Sequence, residues 1–204
     1  MKHHKKTIEL ELRAEVPIKE IETVKARLEK FGKLHSHTKR LSVMYFGSIV
    51  DKKTDIRVRV TNGQSEVVVK LGSFGAHNRI EVAQSISQEQ FIGFVKIFSQ
   101  FGFASKIGER TTFNYSFSNG VVASLVIAGP IAYVEIEKVS SPEQAKENTE
   151  KLNNIAEQLQ LDLLKSEDDF NKLCKRLDEK VDQLFSGSVD DYKRLEESLK
   201  KYLK

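Results

Sequence analysis

Glu9, Glu11 and Arg13 recur at every second position in the stretch Thr7-Ile-Glu-Leu-Glu-Leu-Arg13, alternating with Ile8, Leu10 and Leu12. In an extended strand that period puts two carboxylates and a guanidinium on one face and apolar side chains on the other. The pattern returns along the chain. Arg57 and Arg59 alternate in residues 56–60, Lys70 closes the apolar run 67–69, Arg79 and Glu81 alternate in 79–82, and Glu135 and Glu137 alternate in 133–137. Guanidinium and ammonium groups bind anionic oxygens. Carboxylates facing the same space would repel such an anion unless a cation lay between, and a hard divalent ion, Mg²⁺ or Mn²⁺, meets that need with oxygen ligands. The alternative for any one strand is an ordinary charged surface. Recurrence with both signs argues instead for a closed or strongly curled sheet that turns its charged face inward.

The elements that must position these groups are legible from periodicity and turn residues. After the first strand, Pro17 opens a helical pattern carrying Ile18, Ile21, Val24, Leu28 and Phe31, and Gly32 ends it. Residues 41–46 read as a strand, preceded by His35, His37, Lys39 and Arg40. Residues 55–60 and 66–71 flank the Asn62-Gly63 turn of a hairpin. The loop 72–78 holds two glycines and His77 but does not match a P-loop. Ser87-x-x-Gln90 reads as a capping box opening a helix with the stripe Phe91, Phe94, Val95, Phe98 and Phe101. Residues 110–117 and 121–127 form a second Asn-Gly hairpin, with Arg110, Thr112, Asn114 and Ser116 on its polar face. From Ser141 onward the chain reads helical, with Phe170, Leu173, Leu177, Val181 and Leu184 on one helix face, a break at Ser186-Gly-Ser188, and a last amphipathic helix over 189–203. Residues 1–140 divide into two similar halves, each with a helix and an Asn-Gly hairpin.

In this order the charged strands resemble the CYTH, or triphosphate tunnel metalloenzyme, superfamily. Glu9-x-Glu11-x-Arg13 is similar to its ExExK motif, and Arg57-x-Arg59, Lys70, Arg79-x-Glu81, Lys106-x-x-x-Arg110 and Glu135-x-Glu137 follow in the family's sequence, over roughly residues 7–175. The resemblance implies an α+β fold: a closed barrel of eight antiparallel strands forming a tunnel, with helices packed outside. Residues 1–185 would be the tunnel domain and 186–204 a helical extension packed on it or on a partner. It further implies that Glu9, Glu11, Glu135 and Glu137 hold Mg²⁺ or Mn²⁺, that Arg13, Arg57, Arg59, Lys70, Arg79, Lys106 and Arg110 bind the phosphates, that Glu81 lines the tunnel, and that Arg13 and Glu11 act in catalysis. The expected activity is metal-dependent hydrolysis of an inorganic or organic triphosphate. The alternatives are a class IV adenylate cyclase converting ATP to cyclic AMP and pyrophosphate, and a triphosphate-binding protein with little turnover.

Three positions depart from the family pattern. Arg13 stands where the motif has Lys. Near Ser124-Leu-Val126 the family's tunnel Asp is missing. Tyr45-Phe46 is kept, but Leu41 and Val43 occupy the places of a polar pair that Lys39 or Arg40 would have to replace.

Composition narrows the setting. The 204 residues are 39% hydrophobic, enough for a sizeable core. A net charge of +4 without a Lys/Arg block interleaved with aromatics gives no case for nucleic acid. No apolar run reaches a membrane span and the N-terminus lacks a secretory core. The lone Cys174 excludes a disulfide framework and suits a reducing cytoplasm. The expected partner is a small-molecule triphosphate, with the protein a monomer or homodimer.

Overall fold

The structure, a computed structural model, describes residues 8–72, 80–118 and 120–203. In chain order these form β1 (Ile8–Val16), α1 (Ile21–Phe31), β2 (Lys33–Ile49), β3 (Lys52–Thr61), β4 (Gln64–Leu71), β5 (Ile80–Ile86), α2 (Gln88–Ser99), β6 (Ala104–Ser116), β7 (Val122–Ala128), β8 (Ile131–Ser140), α3 (Ala145–Gln158), α4 (Glu167–Lys180), β9 (Gln183–Leu184) and α5 (Val189–Leu199). Eight strands form one antiparallel sheet in the order β1-β8-β7-β6-β2-β3-β4-β5, and β9 pairs with β6. The expected α+β class and eight strands are present, but the expected closure is not. Among the described residues β1 and β5 end the order and no ladder joins them. The outer edge of β1 is taken up otherwise: Ala14 bridges Leu163, and the Leu164 N–H donates to the Arg13 carbonyl at 2.7 Å. A strand edge satisfied by a loop has no need of a partner strand. Among the described residues no helix is long and apolar enough to cross a membrane.

The chain falls into two compact units, residues 1–37 with 112–177 and residues 38–111 with 178–204. Each has its own core. In the first, Leu10, Tyr115, Leu125, Val134 and Ile136 of the strands pack with Val24 and Leu28 of α1 and Leu152, Ile155 and Ala156 of α3. In the second, Leu41, Val43, Tyr45, Ile56, Val58 and Val60 pack with Phe91 and Val95 of α2 and Leu195 and Leu199 of α5. The last helix therefore completes the second core. Leu184, expected on a helix face, lies instead on β9 and is 88% exposed, because α4 ends at Lys180.

Local chemistry explains the joints. The β3–β4 turn is Asn62-Gly63, with φ of 46° and 82°, as an Asn-Gly hairpin requires. Ser87 and Gln90 form the predicted capping box on α2. Asp191 does the same for α5, accepting from the Ser186 N–H at 2.8 Å and the Ser186 hydroxyl at 2.6 Å while Ser188 Oγ accepts from the Asp191 N–H. The β2–β3 turn was not legible in sequence: Val50 and Asp51 carry φ of 47° and 60°, with neither Gly nor Asn present.

Two stability measurements follow. Positive φ is costly for a β-branched residue, so Val50→Asn stabilises the protein by about 1 kcal/mol in urea unfolding; a loss of stability would contradict this turn. The hydrogen bonds from Ser186, outweighing burial, hold the Asp191 carboxyl below its ordinary value of 3.8. A depressed carboxylate contributes stability above its unfolded pKa and loses it as pH falls toward the folded one. Asp191→Asn should cost about 1–2 kcal/mol at pH 7, with the gap narrowing below about pH 4.

Candidate functional site

In the first unit, antiparallel pairing of β1 with β8 sets Glu11 opposite Glu137 and Arg13 opposite Glu135. Directly opposed residues share a face, so the two alternating motifs meet on one polar surface, joined by Tyr133 and, through Ser124 opposite Glu135, by β7. Leu10, Val134 and Ile136 point to the core on the other side. Arg13 lies between two carboxylates, 2.5 Å from Glu11 and 3.1 Å from Glu135. Its guanidinium also sits 4.4 Å from the centre of the Phe170 ring of α4. Burial, followed by the neighbouring Glu135, pushes the Glu11 carboxyl well above its ordinary value, and Arg13 does not offset them. Glu9 lies at the exposed end of the same face, opposite Val139. Ser124, in the stretch 124–126 near which the resembled family carries an Asp, donates its hydroxyl to Asn114 at 2.7 Å, and Asn114 in turn donates to Ser36.

The second unit carries the basic half of the pattern. Pairing of β2 with β3 places Arg40 opposite Thr61, Ser42 opposite Arg59, Met44 opposite Arg57 and Phe46 opposite Asp55. Across the Asn-Gly turn, Arg59 faces Glu66 and Asp55 faces Lys70, and Lys70 faces Glu81 on β5. Arg40, Arg57, Arg59 and Lys70 therefore share one face. Of the two residues left open before, Arg40 is on that face, donating to Thr61 Oγ1 at 2.9 Å, whereas Lys39 is on the face of Leu41. Lys106 and Arg110 on β6 belong to the same face, since Lys106 Nζ lies 5.0 Å over the Phe46 ring and a Cβ on Gly108 would meet Met44.

These cations have carboxylate partners in the fold. Arg57 holds the fully buried Asp55 through Nε and Nη2, the shortest contact being 2.7 Å. Arg59 pairs with Glu66 at 2.8 Å and Lys70 with Glu81 at 2.6 Å. Lys106 contacts Asp178 and Asp182, and Arg110 pairs with Asp182 at 2.8 Å. Burial alone would raise the Glu81 carboxyl; the Lys70 hydrogen bond and the charges of Lys70, Arg59 and Arg57 outweigh it and lower it. Arg79 and the loop 73–78 lie outside the described residues.

Asp55, Glu66, Asp178, Asp182 and Phe170 are the site residues that motif reading missed. Asp55 and Glu66 had a signal: Asp55 is two residues before Arg57 on its strand, and a two-residue turn at 62–63 forces Glu66 opposite Arg59. Asp178, Asp182 and Phe170 had none, being 72 or more residues from their partners. His37 stacks on Phe113, with ring centroids 4.3 Å apart.

The donors suited to a metal are the Glu11–Glu135 pair, hard oxygen ligands close enough to hydrogen-bond to each other, with Glu137 beside them. Among the described residues no three Asp, Glu, His or Cys side chains form a ready cage. The set fits the way Mg²⁺ is usually held, by one or two carboxylates with water and phosphate completing the shell.

No family model matches the sequence, and no curated protein does. Solved structures do match. The PH1819 protein of Pyrococcus horikoshii is 20% identical with a TM-score of 0.63, over 82% of this chain and 99% of that one. A candidate adenylate cyclase from Vibrio parahaemolyticus is 14% identical with a TM-score of 0.60, over 82% and 98%. A chain of the Schizosaccharomyces pombe Mediator head module is 14% identical with a TM-score of 0.52, over 76% and 97%.

One consequence of the ion pairs is measurable. Asp55→Ala strands Arg57 against a buried position and should cost about 3 kcal/mol in urea unfolding, while the Asp55→Leu/Arg57→Met pair costs less; equal losses would mean that the pair contributes packing alone. The chain shares its fold with these solved structures, the candidate adenylate cyclase of Vibrio parahaemolyticus among them.

Proposed function

We propose that this chain is a divalent-metal-dependent enzyme that hydrolyses a triphosphate. The observation that carries the reading is the second unit's charged face, where Arg40, Arg57, Arg59, Lys70, Lys106 and Arg110 come from β2, β3, β4 and β6 onto one surface. Arginines there offer paired N–H donors to phosphate oxygens, and the lysines offer compact charge. In the first unit Glu11, Glu135 and Glu137 would hold Mg²⁺ or Mn²⁺, with Glu9 contributing from the exposed end of the strand. The metal, once bound, supplies charge neutralisation at the phosphates and a bound water of lowered pKa. Arg13 keeps Glu11 and Glu135 close without letting their charges accumulate, and it places a fixed cation beside them.

A second reading is a triphosphate-binding protein with little turnover. Arg13 favours it, because two carboxylates and the Phe170 ring already engage the residue that stands at the catalytic lysine position. So does Ser124, which puts a hydroxyl where the family has a carboxylate. Fold does not decide between these readings.

The test is incubation with Mg²⁺ or Mn²⁺ and tripolyphosphate, ATP or thiamine triphosphate, with identification of products. Phosphate release that chelation abolishes is expected, with Glu135→Gln lowering kcat at least tenfold and Arg57→Ala acting mainly on KM. Cyclic AMP and pyrophosphate from ATP would replace hydrolysis with cyclisation. Metal-dependent binding without products would establish the second reading, and turnover untouched by Glu135→Gln would remove the metal assignment.

A further inference from the structure

In the second unit Lys106 and Arg110 on β6 are phosphate-binding candidates that pair with carboxylates from a distant part of the chain. Arg57, Arg59 and Lys70 pair with carboxylates on β3, β4 and β5, inside the sheet that carries them. Lys106 and Arg110 pair with Asp178, on the last turn of α4, and Asp182, just beyond it. Asp182 contacts both cations, at 3.2 Å from Lys106 Nζ and 2.8 Å from Arg110 Nη1, and its side chain is 1% exposed. Its Oδ2 also accepts from Arg110 Nη2 at 3.1 Å, so the carboxylate takes the two-pronged geometry that a phosphate would take. A Cβ on Gly108, between the two cations on β6, would lie 2.5 Å from Asp182 Oδ1, so the carboxylate rests directly on the strand.

The segment that delivers these aspartates is also held by a short ladder and by Phe185, which packs edge-on against Tyr192. β9 is two residues long, with Lys106 opposite Leu184 and Ile107 opposite Gln183. The Phe185 N–H donates to the Ser105 carbonyl at 3.0 Å, and Ser105 Oγ donates to the Phe185 carbonyl at 2.6 Å. Phe185 is buried, but Leu184 is almost fully exposed. A strap with one buried anchor, two short ladder pairs and three ion pairs loses much of its hold when the ion pairs are exchanged for another anion.

We infer that the segment 178–185 is an internal competitor for anions, in which Asp178 and Asp182 occupy phosphate positions on Lys106 and Arg110 and are displaced when a polyphosphate binds. This rests on the proposed triphosphate-binding role of the same face and adds regulation to it. Affinity is set by the difference between two occupants of the same cations, so the strap also raises the charge an anion must carry to bind. Orthophosphate, with the lower charge, is excluded more strongly than tripolyphosphate.

The test uses the full chain and sodium tripolyphosphate as probe. Amide exchange at 183–186 of the wild type should accelerate on adding tripolyphosphate, while protection of the β3–β4 hairpin is kept. By calorimetry, Asp178→Asn/Asp182→Asn should bind tripolyphosphate about tenfold more tightly than wild type and should gain measurable affinity for orthophosphate. Tripolyphosphate binding with unchanged exchange at 183–186, or with equal or weaker affinity in the variant, would make the segment a plain structural strap and leave the proposed function standing. Failure of both proteins to bind tripolyphosphate would overturn the inference and the proposed function together.

Discussion

A cation on a sheet face that is only partly open to water must be neutralised nearby, and this requirement organises the charged surfaces of the protein. Moving a charge out of water costs several kcal/mol unless a counter-charge and hydrogen bonds replace the solvent. Arg57 is the clearest case: its partner Asp55 is fully buried and is engaged through two nitrogens. Arg59 with Glu66 and Lys70 with Glu81 repeat the arrangement across neighbouring strands. In the first unit the same requirement acts with the signs reversed. One guanidinium, Arg13, lies between Glu11 and Glu135, and Glu137 adds a third carboxylate beside them. Burial and the crowding of carboxylates therefore raise the Glu11 pKa.

A mixture of arginines and glutamates on alternating strands suggests an anion and a metal, because the carboxylates need a reason to be there. In the second unit the carboxylates have one already, since each pairs with a cation within the sheet or the adjoining strap. In the first unit Glu11 and Glu135 lie against each other with Glu137 beside them, oxygen donors of the kind a hard divalent ion takes. In the second unit arginines and lysines gather on one face, the kind of donor a polyanion takes. Pairs there that are partly open to water, such as Lys70 with Glu81, are individually weak.

The fold leaves the activity open. The same architecture carries a candidate adenylate cyclase and a chain of the Mediator head module, so chemistry has to be read from side chains. Two features of this chain bear on it: Phe170 covers Arg13, and Ser124 lies opposite Glu135. Both come from residues that the motif pattern does not contain.

What the sequence determined by itself was local and periodic. Strand alternation put Glu11 with Arg13, and Arg57 with Arg59, on one face, because successive side chains of an extended chain point to opposite sides. The Asn62-Gly63 turn fixed the β3–β4 register, and with it the pairing of Arg59 with Glu66 and Asp55 with Lys70, because a two-residue hairpin allows only one alignment. The capping box of Ser87 and Gln90 located α2 for the same reason: it acts on backbone groups within one turn. Tertiary structure alone decided the rest. The chain path brought Leu163 and Leu164 to the edge of β1 and left the ladder open, brought Phe170 over Arg13, and set Asp178 and Asp182 on Lys106 and Arg110. Such contacts join positions 72 to 157 residues apart, where no period or turn links the partners. They follow from how two cores were packed and where α4 had to end.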